Sequence, residues 1–316
     1  MDFIYAVVGL VLLLIAGDML VRGAVNMSLR LGVPALIVSL TIVAFGTSAP
    51  ELLISVSAIS EGVPGLALGN VIGSNTANVL LVLGIPAIIT TLHVIDNSTR
   101  ASFLQMVGAT VLFVVLALRG QFDWISGLIL LAALFAMLGH AAYAARCHQR
   151  ASKDAEEEDE EVEGADPDMH WWKIFLFLIA GLIGLPLGAE ILVNASTNIA
   201  RAYGVSETVI GLTLVAVGTS LPELATTVMA ALRKQADVAF GNVIGSNMFN
   251  LLGIIGVSSL VGNLPVDPEI MQFDIWVMCA ASALLGVFVL FHINITRVWG
   301  IVLSALYLLY VLSVLN

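Results

Sequence analysis

Carboxylate, hydroxyl and amide side chains occur twice in this chain with the same spacing, inside sequence that is otherwise apolar. Residues 46–84 contain GTSAPE and then GNVIGSNTAN, and residues 218–256 contain GTSLPE and then GNVIGSNMFN. Every shared position is displaced by 172 residues, so Glu51 recurs as Glu223. Ionisable groups in such apolar sequence are costly and therefore functional by default. The two copies are candidates for one polar site.

Spacing places several oxygen atoms of each copy together. Glu51 follows Thr47 by four residues and Ser48 by three, so these side chains can share one helix face. Ser74 and Asn78 are also four apart, and the second copy repeats both relations. Carboxylates, amides and hydroxyls form an all-oxygen set, which suits hard cations such as Ca²⁺ and Na⁺ rather than transition metals.

Each GTSxPE block also interrupts the backbone of an apolar helix. Pro50 and Pro222 lack an N–H and clash with the preceding turn, so carbonyls within 44–47 and 216–219 are predicted to lose their donors. Such carbonyls are tolerated at membrane depth only when another group satisfies them, and a dehydrated cation would do so. A single Thr-Ser-x-Pro sequence is a common helix kink, but its duplication with a mid-span glutamate favours a site.

Composition assigns the chain to the membrane. The 316 residues are 59% hydrophobic and 11% charged, whereas soluble domains carry about 25% charged residues. Segments of about 20 apolar residues can span a bilayer, and the first of them is predicted to be a retained helix rather than a cleaved signal. The predicted spans are 3–25, 34–60, 65–92, 101–118, 122–145, 172–198, 206–232, 237–261, 270–292 and 297–315.

We therefore predict an all-α polytopic membrane protein with ten transmembrane helices in two five-helix repeats. The repeats are residues 1–145, with core motif 40–84, and residues 171–316, with core motif 212–256. An odd number of spans per repeat inverts the second copy relative to the first, as in many secondary transporters.

Basic residues predict the orientation of these spans. With the N-terminus outside, ten of the twelve Lys and Arg residues lie in cytoplasmic loops, the exceptions being Arg119 and Arg201. This positive-inside bias predicts extracytoplasmic termini in a prokaryotic plasma (inner) membrane.

An acidic linker, residues 146–170, is predicted to join the repeats on the cytoplasmic side. Its stretch 154–168 holds ten of the 23 acidic residues, and elsewhere thirteen acidic residues face twelve basic ones. Such a block is usually a solvated connector, although a regulatory role stays open. No basic stripe supports nucleic-acid binding, so the expected partners are membrane lipid and small inorganic cations, with no obligate protein partner evident.

The paired GTSxPE and GNxIGSNxxN blocks resemble the two alpha repeats of the sodium/calcium exchanger branch of the cation/calcium antiporter superfamily. The resemblance covers essentially the whole chain. In that family the repeats meet at mid-membrane in a set of oxygen ligands. The resemblance implies that the following residues contact transported Ca²⁺ or Na⁺: Ala44, Thr47, Ser48, Glu51, Ser74, Asn78, Ala216, Thr219, Ser220, Glu223, Ser246 and Asn250.

Two features qualify what the resemblance implies about coupling. Some prokaryotic relatives and the potassium-dependent exchangers carry Asp where this chain has Asn250, which leaves Glu51 and Glu223 as the site carboxylates. Proton/calcium exchangers of the superfamily typically show a GNAxE-type block in place of GTSxPE, and no histidine is well placed for a proton relay. Two further acidic residues, Asp18 and Glu190, either pair with a neighbour or reach interfacial water.

The function expected from this resemblance is secondary antiport of Ca²⁺ against Na⁺ by alternating access, with no cofactor and no enzymatic activity. A proton/calcium antiporter or another exchanger coupled to a monovalent cation stays open. An intramembrane hydrolase using the two glutamates is the alternative from another class, but no metal-ligand histidine pair or nucleophile with a base is visible. A passive channel is disfavoured, because an inverted duplication supplies an alternating-access scaffold and no continuous filter.

Overall fold

The structure is a computed structural model in which residues 1–94, 97–152, 166, 169–204 and 216–315 are described. Within those residues the chain is almost entirely helical. The helices of the first half are α1 (Asp2–Leu31), α2 (Ala35–Thr47), α3 (Ala49–Ser60), α4 (Pro64–Ile89), α5 (Asn97–Ala117) and α6 (Trp124–Ser152). Those of the second half are α7 (Trp171–Ala202), α8 (Ala216–Gly218), α9 (Leu221–Leu232), α10 (Ala236–Val261), α11 (Ile270–Leu290) and α12 (Arg297–Leu315).

The described residues contain eight helices that are long and apolar enough to cross a membrane, or nine if the bent pair α2 and α3 counts as one span. Outward-facing apolar side chains on these helices, such as Phe135 at 68% exposure, fit a lipid environment. The seventh predicted span, 206–232, lies partly outside the described residues, because only its end from 216 is described. Most of the acidic linker, 153–165 and 167–168, lies outside them as well.

Helix bounds repeat along the chain with the offset seen in the sequence. Helix α9 begins and ends 172 residues after α3, and α10 begins and ends 172 residues after α4. The hydrogen-bonding pattern widens to a π-helical turn at Asn78–Val82 within α4 and at Phe249–Ile254 within α10. Such turns frequently mark functional sites, and each of these two includes an asparagine predicted to face the ion.

Two short antiparallel pairings tie the halves together at the helix ends. Phe122, after α5, pairs with Leu264, after α10. Leu92, after α4, pairs with Ile295, after α11. The C-terminal end of α10 therefore lies beside that of α5, and the C-terminal end of α4 beside that of α11.

Glycines of α10 allow a close contact with another helix. A Cβ atom added at Gly245 would lie 2.5 Å from the carbonyl oxygen of Leu40, and one at Gly241 would lie 2.8 Å from that of Leu36. Small residues of this kind let helices approach closely in membranes. Helix α10 is thereby packed directly against α2, which carries Ala44 and Thr47.

Candidate ion-binding site

The first GTSxPE block forms a break between α2 and α3. The two helices meet at Ser48 with a bend of 42°, and Pro50 is one of the first two residues of α3, where its missing N–H costs no helical hydrogen bond. The sequence prediction of a kink is confirmed. The prediction that carbonyls are released is wrong at Ala44, whose oxygen accepts hydrogen bonds from the Ser48 amide at 3.1 Å and the Thr47 hydroxyl at 3.3 Å.

Both glutamates of the duplicated motif are buried. Glu51 and Glu223 are each 1% exposed, and each lies in the first turn of a helix, α3 and α9 respectively. Among the described residues, Oε2 of both carboxylates lacks a hydrogen-bond partner, and no Lys or Arg forms an ion pair with either. Buried carboxylates normally require a counter-charge or a bound metal ion.

Residues of the two halves join directly around these carboxylates. The Ser48 hydroxyl donates to Oε1 of Glu223 at 3.3 Å. The Thr47 hydroxyl donates to Oδ1 of Asn242 at 3.3 Å and lies 3.5 Å from the Ser246 hydroxyl. The end of α2 thus contacts the start of α9 and the middle of α10, so residues that are far apart in sequence form one polar cluster.

The predicted amides are buried as well. Asn78 is 1% exposed and Asn250 is fully buried. Oδ1 of Asn78 and both amide atoms of Asn250 have no partner among the described residues. Buried polar atoms without partners are rare in native structures, and these oxygens match the all-oxygen chemistry predicted from the sequence.

The remaining predicted residues are placed as follows. Ser74 is buried at 5% exposure one turn before Asn78. Ser220 is buried at 1% and precedes α9, and its hydroxyl has no partner among the described residues. Thr219 is partly exposed beside it, and Ala216 begins the short helix α8.

Sequence reasoning missed two pairs of asparagines. Asn242 donates to the Glu223 carbonyl at 3.2 Å and to the Thr227 hydroxyl at 3.1 Å, and Asn70 makes the equivalent contacts to Glu51 and Ser55 at 3.4 and 3.3 Å. These bonds fix the helix turn that carries each glutamate. Asn75 and Asn247 form the second pair. All four recur at the 172-residue offset inside GNVIGSN, a signal that could have identified them.

Of the two roles that the sequence left open for Asp18, the structure shows ion pairing. Its carboxylate pairs with Arg22 at 3.0 Å and with Arg233, in the turn after α9. This contact ties α1 to the end of α9, away from the glutamates. Glu190, its counterpart in the second repeat, is exposed. Neither residue joins the polar cluster.

An apolar cavity of about 490 Å³ flanks the cluster, and Ser48 belongs to its wall. The rings of Phe45 and Phe249, with centroids 5.4 Å apart, lie on this side. Apolar walls lower the local dielectric, which strengthens the interaction of a cation with the carboxylates.

Comparison with known proteins gives a consistent result. The model of the sodium/calcium exchanger protein family matches residues 1–142 and 173–316. The chain is 32% identical to the sodium/calcium exchanger MaX1 of Methanosarcina acetivorans, across 97% of this chain and 96% of that protein. It is 34% identical to the putative antiporter CaxA of Alkalimonas amylolytica, across 88% and 86% respectively.

A solved structure shares the fold. The sodium-calcium exchanger NCX_Mj, soaked with zero Na⁺ and Ca²⁺, superposes with a TM-score of 0.82 and 33% identity over 98% of this chain and 97% of that one. The buried polar cluster, the membrane-spanning helices and these matches lead to one conclusion. The chain belongs to the sodium/calcium exchanger family.

Proposed function

We propose that this protein is a secondary antiporter that exchanges Ca²⁺ against Na⁺ across a prokaryotic plasma membrane. The observation that carries the proposal is the pair of buried glutamates, Glu51 and Glu223, each with an oxygen that has no partner among the described residues. Two ionised carboxylates are neutralised by one Ca²⁺ or by two Na⁺. A single site that binds either one Ca²⁺ or two Na⁺ couples the two fluxes, because a change of access with an uncompensated charge in the site is costly.

The twelve positions predicted from the sequence are the candidate ion contacts in this proposal, and of these the Ala44 carbonyl already accepts two hydrogen bonds. Hydrogen bonds join Ser48 to Glu223, and Thr47 to Asn242 of the second half. Support also comes from the buried oxygens of Asn78, Ser220 and Asn250, which have no partner in the part of the chain that the structure describes. Ca²⁺ accepts six to eight such oxygens, so a subset of the twelve suffices for each ion.

The inverted repeat supplies the alternating access. Two five-helix repeats, 1–145 and 171–316, would be joined by the acidic linker 146–170. In support, the C-terminal end of α10 lies beside the C-terminal end of α5. Helix α5 follows α4 in the chain and would run back across the membrane in the opposite direction. Helix α10 would then run opposite to its repeat partner α4. Ten spans follow if segment 206–232 crosses once and if the bent pair α2 and α3 counts as one span.

The basic residues support extracytoplasmic termini and a cytoplasmic linker. On this orientation the ion pairs of Asp18 with Arg22 and Arg233 lie toward the cytoplasmic face. An epitope tag at either terminus should be accessible in intact spheroplasts, whereas a cysteine introduced in the linker should react with impermeant reagents only after the membrane is opened.

The coupling ion is tested by flux in proteoliposomes. We expect Ca²⁺ uptake to require an opposing Na⁺ gradient and to persist when a proton gradient is abolished by an ionophore. Uptake driven by a pH gradient alone would favour a proton/calcium antiporter instead. Uptake with no opposing gradient would indicate a channel.

A second prediction concerns the residue where the chain departs from some relatives. Asn250→Asp should change the ion coupling more than it changes folding, because a third carboxylate in a small dry site recruits an additional monovalent cation or a proton. The measurement is the dependence of Ca²⁺ flux on Na⁺, K⁺ and pH. Asn294→Asp is the control, since among the described residues the Asn294 side-chain oxygen accepts a hydrogen bond from the Val94 amide, at 3.1 Å, outside the polar cluster. If all three dependences match wild type in Asn250→Asp, Asn250 does not face the ions.

A further inference from the structure

Two asparagines form a reciprocal pair where α4 meets α10. The Asn75 amide donates to the backbone carbonyl of Asn247 at 3.2 Å, and the Asn247 amide donates to the carbonyl of Asn75 at 3.4 Å. The residues are 172 positions apart and only 2% and 1% exposed. Because each of the two asparagines makes the same bond to the other, this pair lies where the two repeats meet.

Asn247 also holds Asn78. Its Oδ1 accepts a hydrogen bond from Nδ2 of Asn78 at 3.0 Å. Its own amide group is oriented by its bond to Asn75 and by a contact of 3.7 Å with the Met106 sulfur. Since only the NH₂ side of an amide can donate, the Asn247 oxygen selects one of the two orientations of the Asn78 amide.

The selected orientation leaves the Asn78 oxygen free. Oδ1 of Asn78 is buried without a partner among the described residues. Turning the Asn78 amide over would set two acceptor oxygens against each other and would point the NH₂ group where the oxygen now lies. An NH₂ group cannot bind a cation.

The equivalent bond in the second repeat is not made. Symmetry would have Nδ2 of Asn250 donate to Oδ1 of Asn75, yet neither atom has a partner among the described residues. The serines of the two repeats differ in the same way, because the Ser48 hydroxyl donates to Glu223 while the Ser220 hydroxyl has no partner among the described residues. Asn78 is therefore held in one orientation and Asn250 is not.

We propose that Asn247 is a positioning residue of the transport site, which does not touch the ion but holds the Asn78 carbonyl oxygen toward it. Orienting the amide before the ion arrives removes part of the ordering cost of binding. The inference rests on the proposed function, since it requires Asn78 to be an ion contact. It also predicts that Asn78 contributes more to affinity than its unheld counterpart Asn250.

The test is a double-mutant cycle on Ca²⁺ binding, measured by calorimetry on the purified full-length chain without any need for transport. Asn247→Ala and Asn78→Ala should each weaken binding on the order of tenfold, the scale of one polar contact to a charge. The double variant should bind no more weakly than Asn78→Ala alone, because Asn247 acts through Asn78. Asn247→Leu, which retains the side-chain volume, should give the same result if the alanine variant proves unstable.

Asn75→Ala provides the matched control. It removes the other member of the reciprocal pair but keeps the backbone carbonyl that orients Asn247, so its effect should add to that of Asn78→Ala. Additive effects for Asn247 would overturn the positioning role, provided that wild type binds Ca²⁺ and the variants unfold at similar temperatures. A wild-type chain that binds no Ca²⁺ would instead overturn the proposed function, and the positioning role with it.

Discussion

Glu51→Gln and Glu223→Gln are each expected to reduce Ca²⁺ transport to the level of liposomes without protein, while the chain remains folded in the membrane. Both side chains are 1% exposed, and neither has an ion-pair partner among the described residues. An amide has the shape of the carboxylate but lacks the charge that a dehydrated divalent ion requires. Removing one member of a buried charge pair costs about 3–5 kcal/mol, which corresponds to a loss of affinity between about a hundredfold and a few thousandfold.

The measurement combines ⁴⁵Ca²⁺ flux in proteoliposomes with calorimetric Ca²⁺ binding. Glu61→Gln is the matched control. Glu61 comes directly after α3, the helix that contains Glu51, but it is exposed, and its carboxylate accepts a hydrogen bond from Ser57 at 2.7 Å. This control should transport at the wild-type rate. Wild-type flux in either buried-glutamate variant would show that the cluster is not the transport site.

Loss of one carboxylate should also weaken the binding of Na⁺ and the binding of Ca²⁺ by different factors. A site with one remaining carboxylate still neutralises one monovalent ion but leaves one positive charge of Ca²⁺ uncompensated. We therefore expect Ca²⁺ binding to fall further than Na⁺ binding in both variants. Equal losses would indicate that the substitution disturbs the fold rather than the charge balance.

Much of the helical framework follows from hydropathy. The span predicted at 237–261 is observed as Ala236–Val261, and the one predicted at 65–92 as Pro64–Ile89. Apolar length determines how much chain can cross a bilayer, and the 172-residue offset then relates the two halves. The same offset identified Glu51 and Glu223, and the structure shows that both are buried.

Details of the cluster depend on contacts that no single stretch of sequence encodes. The sequence predicts a kink at Pro50, but the hydrogen bonds from Ser48 and Thr47 to the Ala44 carbonyl are known only once the local geometry is known. The π-helical turns at Asn78 and Phe249 likewise depend on packing between helices rather than on residue propensity. The orientation of the Asn78 amide is set by a residue 169 positions away.

Close packing beside the site gives the other large expected effect. Gly245→Ala should lower both the unfolding temperature and the affinity for Ca²⁺. The added Cβ would lie 2.5 Å from the Leu40 carbonyl oxygen and 2.6 Å from the Ala44 Cβ, so α10 must move away from α2. Overpacking of this kind typically costs about 1–3 kcal/mol.

The same displacement should reach the proposed ion contacts, because Ser246 is the next residue and its hydroxyl lies 3.5 Å from that of Thr47. Gly108→Ala is the matched control: Gly108 lies within α5, is exposed, and has no described atom within 4 Å of an added Cβ. Alanine there also has the higher helix propensity, so stability should be unchanged or slightly raised. Thermal unfolding followed by tryptophan fluorescence, with Ca²⁺ titration of the same samples, measures both effects. If Gly245→Ala unfolds and binds Ca²⁺ as wild type does, the close contact between α2 and α10 does not hold the site together.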